Sequence, residues 1–452
     1  MSTRNLIAEI EVHSQGDRRR SSWSGFLSSC NALLHGREKS NDLDQQALLS
    51  HWILNSDETV FTSQLPSNLT SLSKSAKQVA SKARFTKIRS RESDSRGTFR
   101  FIDLFAGIGG FHLALASQGG RCVFASEIER SARLTYAMNF GLIPFGDIRT
   151  ITRDVDGSPN LRAIRRRIPP ADVIAAGFPC QPFSLAGVSS RLHHGLDHGL
   201  DCDAQGTLFE DIILIARALR PKVLLLENVR NLASHDEGRT IAVIKSEISR
   251  AGYEIFPDDA KERGMWAVID SRAVVGQRRK RVYFVCVRRD IAAANGPFIF
   301  PEFRLPTKPH TLATMLKSDD SMSNAEKFER FSISQRLWRS HKARDARHRA
   351  KHNGFSVNLM RDLKQPAPTL VSRYYKDGKD CLIPNLRNPT RPPRMLTPRE
   401  CSLLQTFPKT FWIHPTKSCA YKHFGNAITV EIARRVARSL AQYLSEERPR
   451  TK

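Results

Sequence analysis

From Thr98 onward the chain alternates short apolar runs with amphipathic stretches. Phe99–Phe105 has the length and apolarity of a strand. It runs into Ala106-Gly107-Ile108-Gly109-Gly110 and then the helical stretch Phe111–Ala116. That succession predicts a strand, a glycine turn and a helix. Cys122–Ser126 predicts a second strand ending at Glu127, and Leu142–Phe145 a further strand region before Gly146-Asp147-Ile148. Ala171–Ala176 is another strand-length run, leading into Gly177-Phe178-Pro179-Cys180. A helix is predicted to open at Gly206–Phe209 and run to about Leu219, and Pro221–Leu226 is a buried strand that delivers Glu227-Asn228-Val229. Helix Thr240–Gly252, strand Tyr253–Phe256 and a pairing of Met265–Asp270 with Arg281–Val287 complete the series. Apolar strands joined by helices predict an α/β fold with parallel strands.

Beyond Asp290 this alternation fades. Proline, asparagine and basic residues are scattered among short apolar pieces up to Met395, which predicts a smaller, irregular domain at 291–395. At Leu396-Thr397-Pro398-Arg399-Glu400 a helix begins again: Thr397 caps it, Pro398 suits its first turn and Glu400 closes a capping box. An amphipathic helix from Ile428 to about Leu444 follows, so 396–444 is expected to complete the main domain (99–290), leaving 445–452 as a tail. Residues 1–98 read as a basic, partly helical extension with a helical subdomain near 25–55, serving either as a solvated arm or as a contact to DNA phosphates.

Charge narrows the partners. A formal net charge of +26 over 452 residues is far beyond what solubility needs and points to a polyanion, nucleic acid before an anionic membrane. Eight cysteines lack paired C-x-x-C spacing, which fits a reducing compartment better than a disulfide framework. The first residues hold acids and no continuous apolar core of a secretory signal, and no run is long enough to span a bilayer.

Candidate chemistry lies at the predicted strand ends. Cys180 sits between Pro179 and Pro182 just past a strand, where open α/β sheets place ligands. A buried core cysteine is the alternative, and the polar-ended loop fits that poorly. The glycine turn at 106–110 is neither G-x-G-x-x-G nor a Walker A loop, so nothing there requires a pyrophosphate. An acid at a strand tip, as at Glu127, can hold the two hydroxyls of a ribose, and Asp147 can accept from an exocyclic amine. Capping or solvent-facing acids are the alternative at both. Together they suggest an adenosine-containing cofactor. The loop Leu185–Gln205 holds His193, His194, His198, Cys202 and Asp203 without metal-site spacing, so no metal is expected. In Gly276-Gln277-Arg278-Arg279-Lys280-Arg281, immediate entry into an apolar strand argues that at least one arginine points inward.

Six blocks then resemble the DNA cytosine-C5 methyltransferases in that family's order: DLFAGIGGFHLAL (103–115), GFPCQPFSLAG (177–187), ENV (227–229), QRRKR (277–281), LTPREC (396–401) and YKHFGNAIT (421–429). GLDHGLDCDAQGTLFEDI (195–212), ENVRNLASHDEGRT (227–240), SRYYKDGKDCLI (372–383) and RPPRMLTPREC (391–401) resemble the Dcm and EcoRII branch more closely. His423 stands where the family has glutamine, Thr429 replaces an aliphatic residue, and 304–370 resembles the branch more weakly.

The resemblance implies the S-adenosylmethionine-dependent methyltransferase fold, a Rossmann-like mixed sheet with helices on both faces, with 291–395 as a smaller, irregular target-recognition domain. It implies transfer from S-adenosyl-L-methionine, leaving S-adenosyl-L-homocysteine, to C5 of a cytosine flipped out of a short duplex site such as CC(A/T)GG. By the same resemblance, the Cys180 thiolate attacks C6, Glu227 serves as the acid beside N3, Arg281 faces the base O2 and Arg279 contacts the catalytic loop or a phosphate, with Asn228 fixing adjacent backbone. Cofactor contacts fall to Phe105, Gly107, Gly109, Gly110, Glu127, Ile128, Asp147, Ile148, Pro179, Leu208 and Asn426. DNA contacts fall to Gln181, Ser184, Arg373, Tyr374, Tyr375 and Lys376. The implied setting is a bacterial, cytoplasmic, DNA-associated enzyme, monomeric in catalysis, with room for a restriction endonuclease that shares the site without a stable complex. A tRNA cytosine methylase and a DNA-binding regulator with an inactive core are the competing readings. The basic recognition region and the intact Cys180, Glu227 and Arg281 weigh against them.

Overall fold

The computed structural model describes residues 98–179, 208–256, 267–304, 306–307, 310–352, 357–386 and 388–446. The helical subdomain expected near 25–55 and Cys180, Gln181 and Ser184 lie outside these residues. The described residues divide into two compact units: one drawn from 98–268, 282–300 and 436–446, the other from 269–281 and 301–435.

In the first unit, strands β1 (Phe99–Leu104), β2 (Gly120–Ser126), β3 (Val173–Gly177), β4 (Val223–Val229) and β5 (Tyr253–Phe256) are joined through helices. These are α1 (Gly110–Ala116), α2 (Arg130–Phe140), the short α3 (Arg149–Thr152), α4 (Leu161–Arg167), α5 (Leu208–Leu219) and α6 (Arg239–Arg250). β6 (Ala267–Asp270) and β7 (Lys280–Arg288) carry the chain out of this unit and back, and α7 (Arg289–Asn295) follows. The sheet order is β2-β1-β3-β4-β7-β5, with β6 paired to β7 as expected. β1 pairs parallel with both β2 and β3, β3 pairs parallel with β4, and β5 runs antiparallel to β7. This is the mixed α/β sheet anticipated above.

The strands form because their side chains are apolar on both faces: Phe101, Ile102, Val173, Ile174, Leu224 and Leu225 are all fully buried. Strands covered on both sides by helices carry such continuous apolar runs. One expected strand is absent. Leu142–Phe145 contributes only an isolated bridge, Ser126 to Phe145. Pro144 has no N–H for a ladder, and its carbonyl is taken by the Arg133 side chain at 2.9 Å.

Since β2 and β3 flank β1 on opposite sides, the chain reverses its direction of winding there. The carboxyl ends of β1 to β4 therefore share one edge, with a crevice where the winding switches.

The second unit contains α8 (Leu312–Lys317), α9 (Asn324–Phe331), α10 (Gln335–Ala350), α11 (Tyr374–Asp377), α12 (Pro398–Leu404) and α13 (Lys417–Asn426), and α14 (Val430–Ser445) leads out of it. The capping box predicted for α12 is present, with Glu400 N bonded to Thr397 Oγ1 at 3.0 Å and Thr397 N to Glu400 Oε2 at 2.8 Å. Glu400 also receives Arg394 through two bonds of 2.7 and 2.9 Å, while Lys327 lies 3.1 Å from Asp319 and 3.5 Å from Glu400. These charges are buried, and such groups persist only when paired and hydrogen-bonded. They tie the segment after Met395 to the irregular region before it.

Candidate active site

At the shared strand edge, four tips present chemistry in the order of the sheet. At the β2 tip, Glu127 accepts Gly107 N–H through Oε2 and Glu129 N–H through Oε1, both at 2.8 Å. One carboxylate thus braces the β1 turn against its own loop. Ile128 beside it is 64% exposed, an apolar surface at the crevice rim. In the β1 turn, Phe105, Gly107 and Gly109 have φ of 52, 53 and 88°. A Cβ on Gly107 would meet nothing within 4 Å, whereas one on Gly109 would lie 2.1 Å from the Phe140 ring. Glycine is thus required at 109 by packing, and at 107 it leaves the main chain open to a ligand.

The β3 and β4 tips are locked together. Gly177 is in register with Glu227, whose Oε2 lies 3.6 Å from where a Gly177 Cβ would stand. Asn228 donates through Nδ2 to the Phe178 carbonyl at 3.0 Å and accepts Val229 N–H at 2.8 Å. Phe178 packs against Phe209 of α5 with ring centroids 5.5 Å apart. Pro179, next along, is exposed. The backbone entering Cys180 is therefore held by an amide next to the buried Glu227 carboxyl.

Beneath the β1 turn lies a polar cluster that the sequence reading missed. Asp103 is fully buried, and among the described residues no hydrogen-bond donor reaches either of its carboxylate oxygens in good geometry. Burial pushes its carboxyl well above the ordinary range, the Glu127 charge adds to this, and the neighbouring His112 N–H and Tyr136 hydroxyl only partly offset it. His112 Nδ1 lies 2.7 Å from Tyr136 Oη, and its ring stacks on Phe140 at 4.0 Å. Burial lowers its pKa to about 3, so it is neutral at working pH. A lone aspartate inside an apolar strand and a histidine one turn into the next helix were the available signals.

The sequence profile of the C-5 cytosine-specific DNA methylase family matches residues 99–442. The chain belongs to this family. It is 37% identical over 378 residues to the DNA-cytosine methyltransferase of Escherichia coli (strain K12), covering 76% of this chain and 77% of that protein. Type II methyltransferase M.NlaX of Neisseria lactamica is 36% identical over 351 residues, covering 77% of this chain and 97% of that protein. The crystal structure of S. pombe Dnmt2 methyltransferase superposes with a TM-score of 0.52 at 14% identity, covering 77% of this chain and 98% of that one, a likeness of fold alone. The methylase is therefore an enzyme, a DNA (cytosine-5-)-methyltransferase, and membership implies S-adenosylmethionine as its methyl donor.

The β1 and β2 tips fit such a donor: Glu127 places a carboxylate at the strand tip where a ribose would lie, Ile128 an apolar face, and Gly107 open main chain. At two expected contacts the structure shows what already surrounds the side chain. Ile148 is 2% exposed with its side chain in the core, and its carbonyl accepts Ile151 N–H at 2.9 Å and Thr152 N–H at 3.1 Å. Asp147 is occupied by Arg149, which donates to Oδ2 at 2.6 Å and to Oδ1 at 3.0 Å. Burial would raise its pKa, but these Arg149 bonds outweigh that and hold it below the usual range. Gly110 opens α1 and Leu208 opens α5.

The remaining expected residues belong to the second unit. Asn426 is exposed at the end of α13. Arg281 is half-buried, and its guanidinium donates to the Lys280 carbonyl at 2.8 Å. Arg279 is the arginine that turns inward. It is 2% exposed and donates to the carbonyls of Leu370 (2.8 Å), Gly425 (3.2 Å) and Ala427 (2.7 Å). It pins backbone rather than meeting a phosphate. Tyr374, expected on DNA, is also buried, its hydroxyl accepting Leu396 N–H at 2.8 Å. Arg373 and Lys376 are exposed and Tyr375 is half-buried. Among the described residues, no group of three or more His, Cys, Asp or Glu could hold a metal, and no helix is long and apolar enough to cross a membrane.

Proposed function

We propose that the methylase acts through a transient bond between Cys180 and a cytosine turned out of double-stranded DNA, at a short site of the CC(A/T)GG type. The Asn228 clamp on the Phe178 carbonyl supports this most directly, because it sets the approach to Cys180 beside Glu227. Cytosine C5 is a poor nucleophile within a stacked, paired base, so the base must leave the helix and be activated. The Cys180 thiolate adds at C6, and the electron pair of the 5,6 double bond becomes available at C5. Glu227 bears a proton near N3 and relieves the charge that accumulates on the ring, while Arg281 orients the pyrimidine at O2. S-adenosylmethionine, when bound, supplies an electrophilic sulfonium methyl. C5 would take that methyl as the sulfonium leaves as a thioether; loss of the C5 proton to water then restores the 5,6 double bond and expels Cys180 as its thiolate.

In this reading Glu127 and Ile128 hold the adenosine and the 105–110 turn the methionine portion, with Asn426 near its carboxylate. Residues 291–395 supply target recognition and 396–444 complete the catalytic domain. The related Type II methyltransferases make a role beside a restriction endonuclease the natural setting, in the cytoplasm of a bacterium.

Bisulfite sequencing of DNA from cells expressing the chain, beside the same cells expressing Cys180→Ser, tests the proposal. Protected cytosines at CC(A/T)GG that vanish in the variant support it. Protection that persists with Cys180→Ser overturns the mechanism, and protection at another sequence overturns the site alone. Methyl incorporation into tRNA but not into DNA would replace the substrate.

A further inference from the structure

Helix α10 (Gln335–Ala350) holds six cationic residues against one acid in 16 residues, QRLWRSHKARDARHRA. So much charge needs a partner or water along its whole length. Steps of three and four residues place Arg336, Arg339, Ser340, Ala343, Arg347 and Lys351 along one stripe, and all six are exposed. The opposite side is held in place. A Cβ on Gly378, which ends α11, would lie 3.6 Å from Leu337 Cδ2 and 4.0 Å from His341 Nε2. The single acid, Asp345, is also turned away from the stripe. It accepts Val357 N–H at 3.0 Å and pairs with Arg349 at 2.9 Å. Arg336, Arg339 and Arg347 have no ion-pair partner among the described residues.

We propose that this stripe clamps the phosphate backbone of double-stranded DNA beside the target site, independently of sequence. The inference rests on the reading of duplex DNA as substrate. From Arg336 to Lys351 the helix extends roughly 22 Å, along which a duplex presents about one charge per 1.7 Å of axis. Ser340 and Ala343 are short, so the backbone of a strand can come close between the arginines. The α11 turn against which the helix packs carries exposed Arg373 and Lys376, extending the same charge. Arginine contacts to phosphate position a protein on the duplex and carry no sequence information. This division of labour differs from base reading.

The test uses the full chain carrying Arg336→Gln, Arg339→Gln and Arg347→Gln together. Glutamine keeps helix propensity close to that of arginine, and the corresponding triple lysine variant controls for charge. Affinity for duplexes with and without the target is measured from about 50 to about 200 mM salt. Removing one arginine from a phosphate lowers the slope of log K against log salt by about 1, so the triple glutamine variant should be shallower by about 3. Over that fourfold salt change the wild type should lose roughly 60-fold more affinity than the variant. The loss at low salt should be equal on both duplexes, and the lysine variant should keep the wild-type slope. An unchanged slope, or a loss confined to the target duplex, overturns the clamp. So does a variant that loses binding to phosphatidylserine vesicles while keeping its affinity for DNA. A wild type that methylates no DNA cytosine refutes the substrate reading instead, which keeps the two failures distinguishable.

Discussion

Gly109→Ala is the sharpest perturbation of the cofactor turn. The added methyl would sit 2.1 Å from Phe140 Cε2, 2.6 Å from Cζ and 3.1 Å from Tyr136 Cε2. The Phe140 ring cannot yield freely, because it stacks on His112 at 4.0 Å and meets Tyr136 edge-on at 4.6 Å. Relieving such overpacking costs about 1–3 kcal/mol. Holding alanine at a φ of 88° costs about 1–2 kcal/mol more. The expected loss of stability is therefore about 2–5 kcal/mol, read by urea unfolding. Gly107→Ala is the contrast. Its φ is 53° and its methyl would enter open space, so it should lose only about 1–2 kcal/mol of stability. Because that space faces the crevice, its main effect should be weaker binding of S-adenosylhomocysteine in calorimetric titration. Adding Phe140→Leu should recover the packing part of the Gly109→Ala loss, giving a coupling of at least about 1 kcal/mol in a double-mutant cycle. Stability of Gly109→Ala within about 0.5 kcal/mol of wild type, or an absence of coupling, would refute the reasoning.

Three further outcomes follow from particular contacts. Asn228→Ala removes the bond to the Phe178 carbonyl and should lower kcat by about 10- to 100-fold, with little change in the KM for cofactor; an unchanged kcat would contradict the clamp. Arg279→Met leaves three carbonyls, two of them in buried bonds, without their charged donor and should cost at least about 3 kcal/mol, seen as a Tm lower by several degrees; a Tm within about 1 °C of wild type would contradict it. His112 is neutral in the folded protein down to a pKa of about 3 but takes up a proton at about 6.5 when unfolded. Its contribution is thus full above pH 6.5 and is lost as the pH falls toward 3. The stability advantage of wild type over His112→Gln should shrink by at most about 1.4 kcal/mol per pH unit below pH 6.5 in denaturant titrations; an advantage that grows on acidification would reverse the assignment.

Much of the sheet was legible because its strands are apolar on both faces and bounded by glycine or proline. Thr397 and Glu400 announced α12 for a similarly local reason, since a capping box is written within four residues. The failures have a common cause: burial of polar side chains depends on partners distant in sequence. Tyr374 lies in a run of basic and aromatic residues that reads as a DNA surface, yet its hydroxyl is taken by Leu396 N–H. At least one arginine of the 278–281 run was expected to turn inward, but nothing local identifies it as Arg279 or names Leu370, Gly425 and Ala427 as its acceptors. Asp147 was legible as an acid at the crevice, while its pairing with Arg149 follows from the turn that opens α3. At the β3 and β4 tips the parallel register, Gly177 to Glu227, follows from the order of apolar runs and puts the two motifs side by side.

Duplex DNA with 5-fluorocytosine at the target position tests the central claim most directly. Fluorine at C5 cannot leave as a proton does, so methyl transfer should leave the base bonded to the enzyme through Cys180. With S-adenosylmethionine present, mass spectrometry should find one adduct per chain, on the peptide containing Cys180, and none with Cys180→Ser. An absence of adduct on DNA that the enzyme otherwise methylates, or an adduct on another residue, would contradict the account.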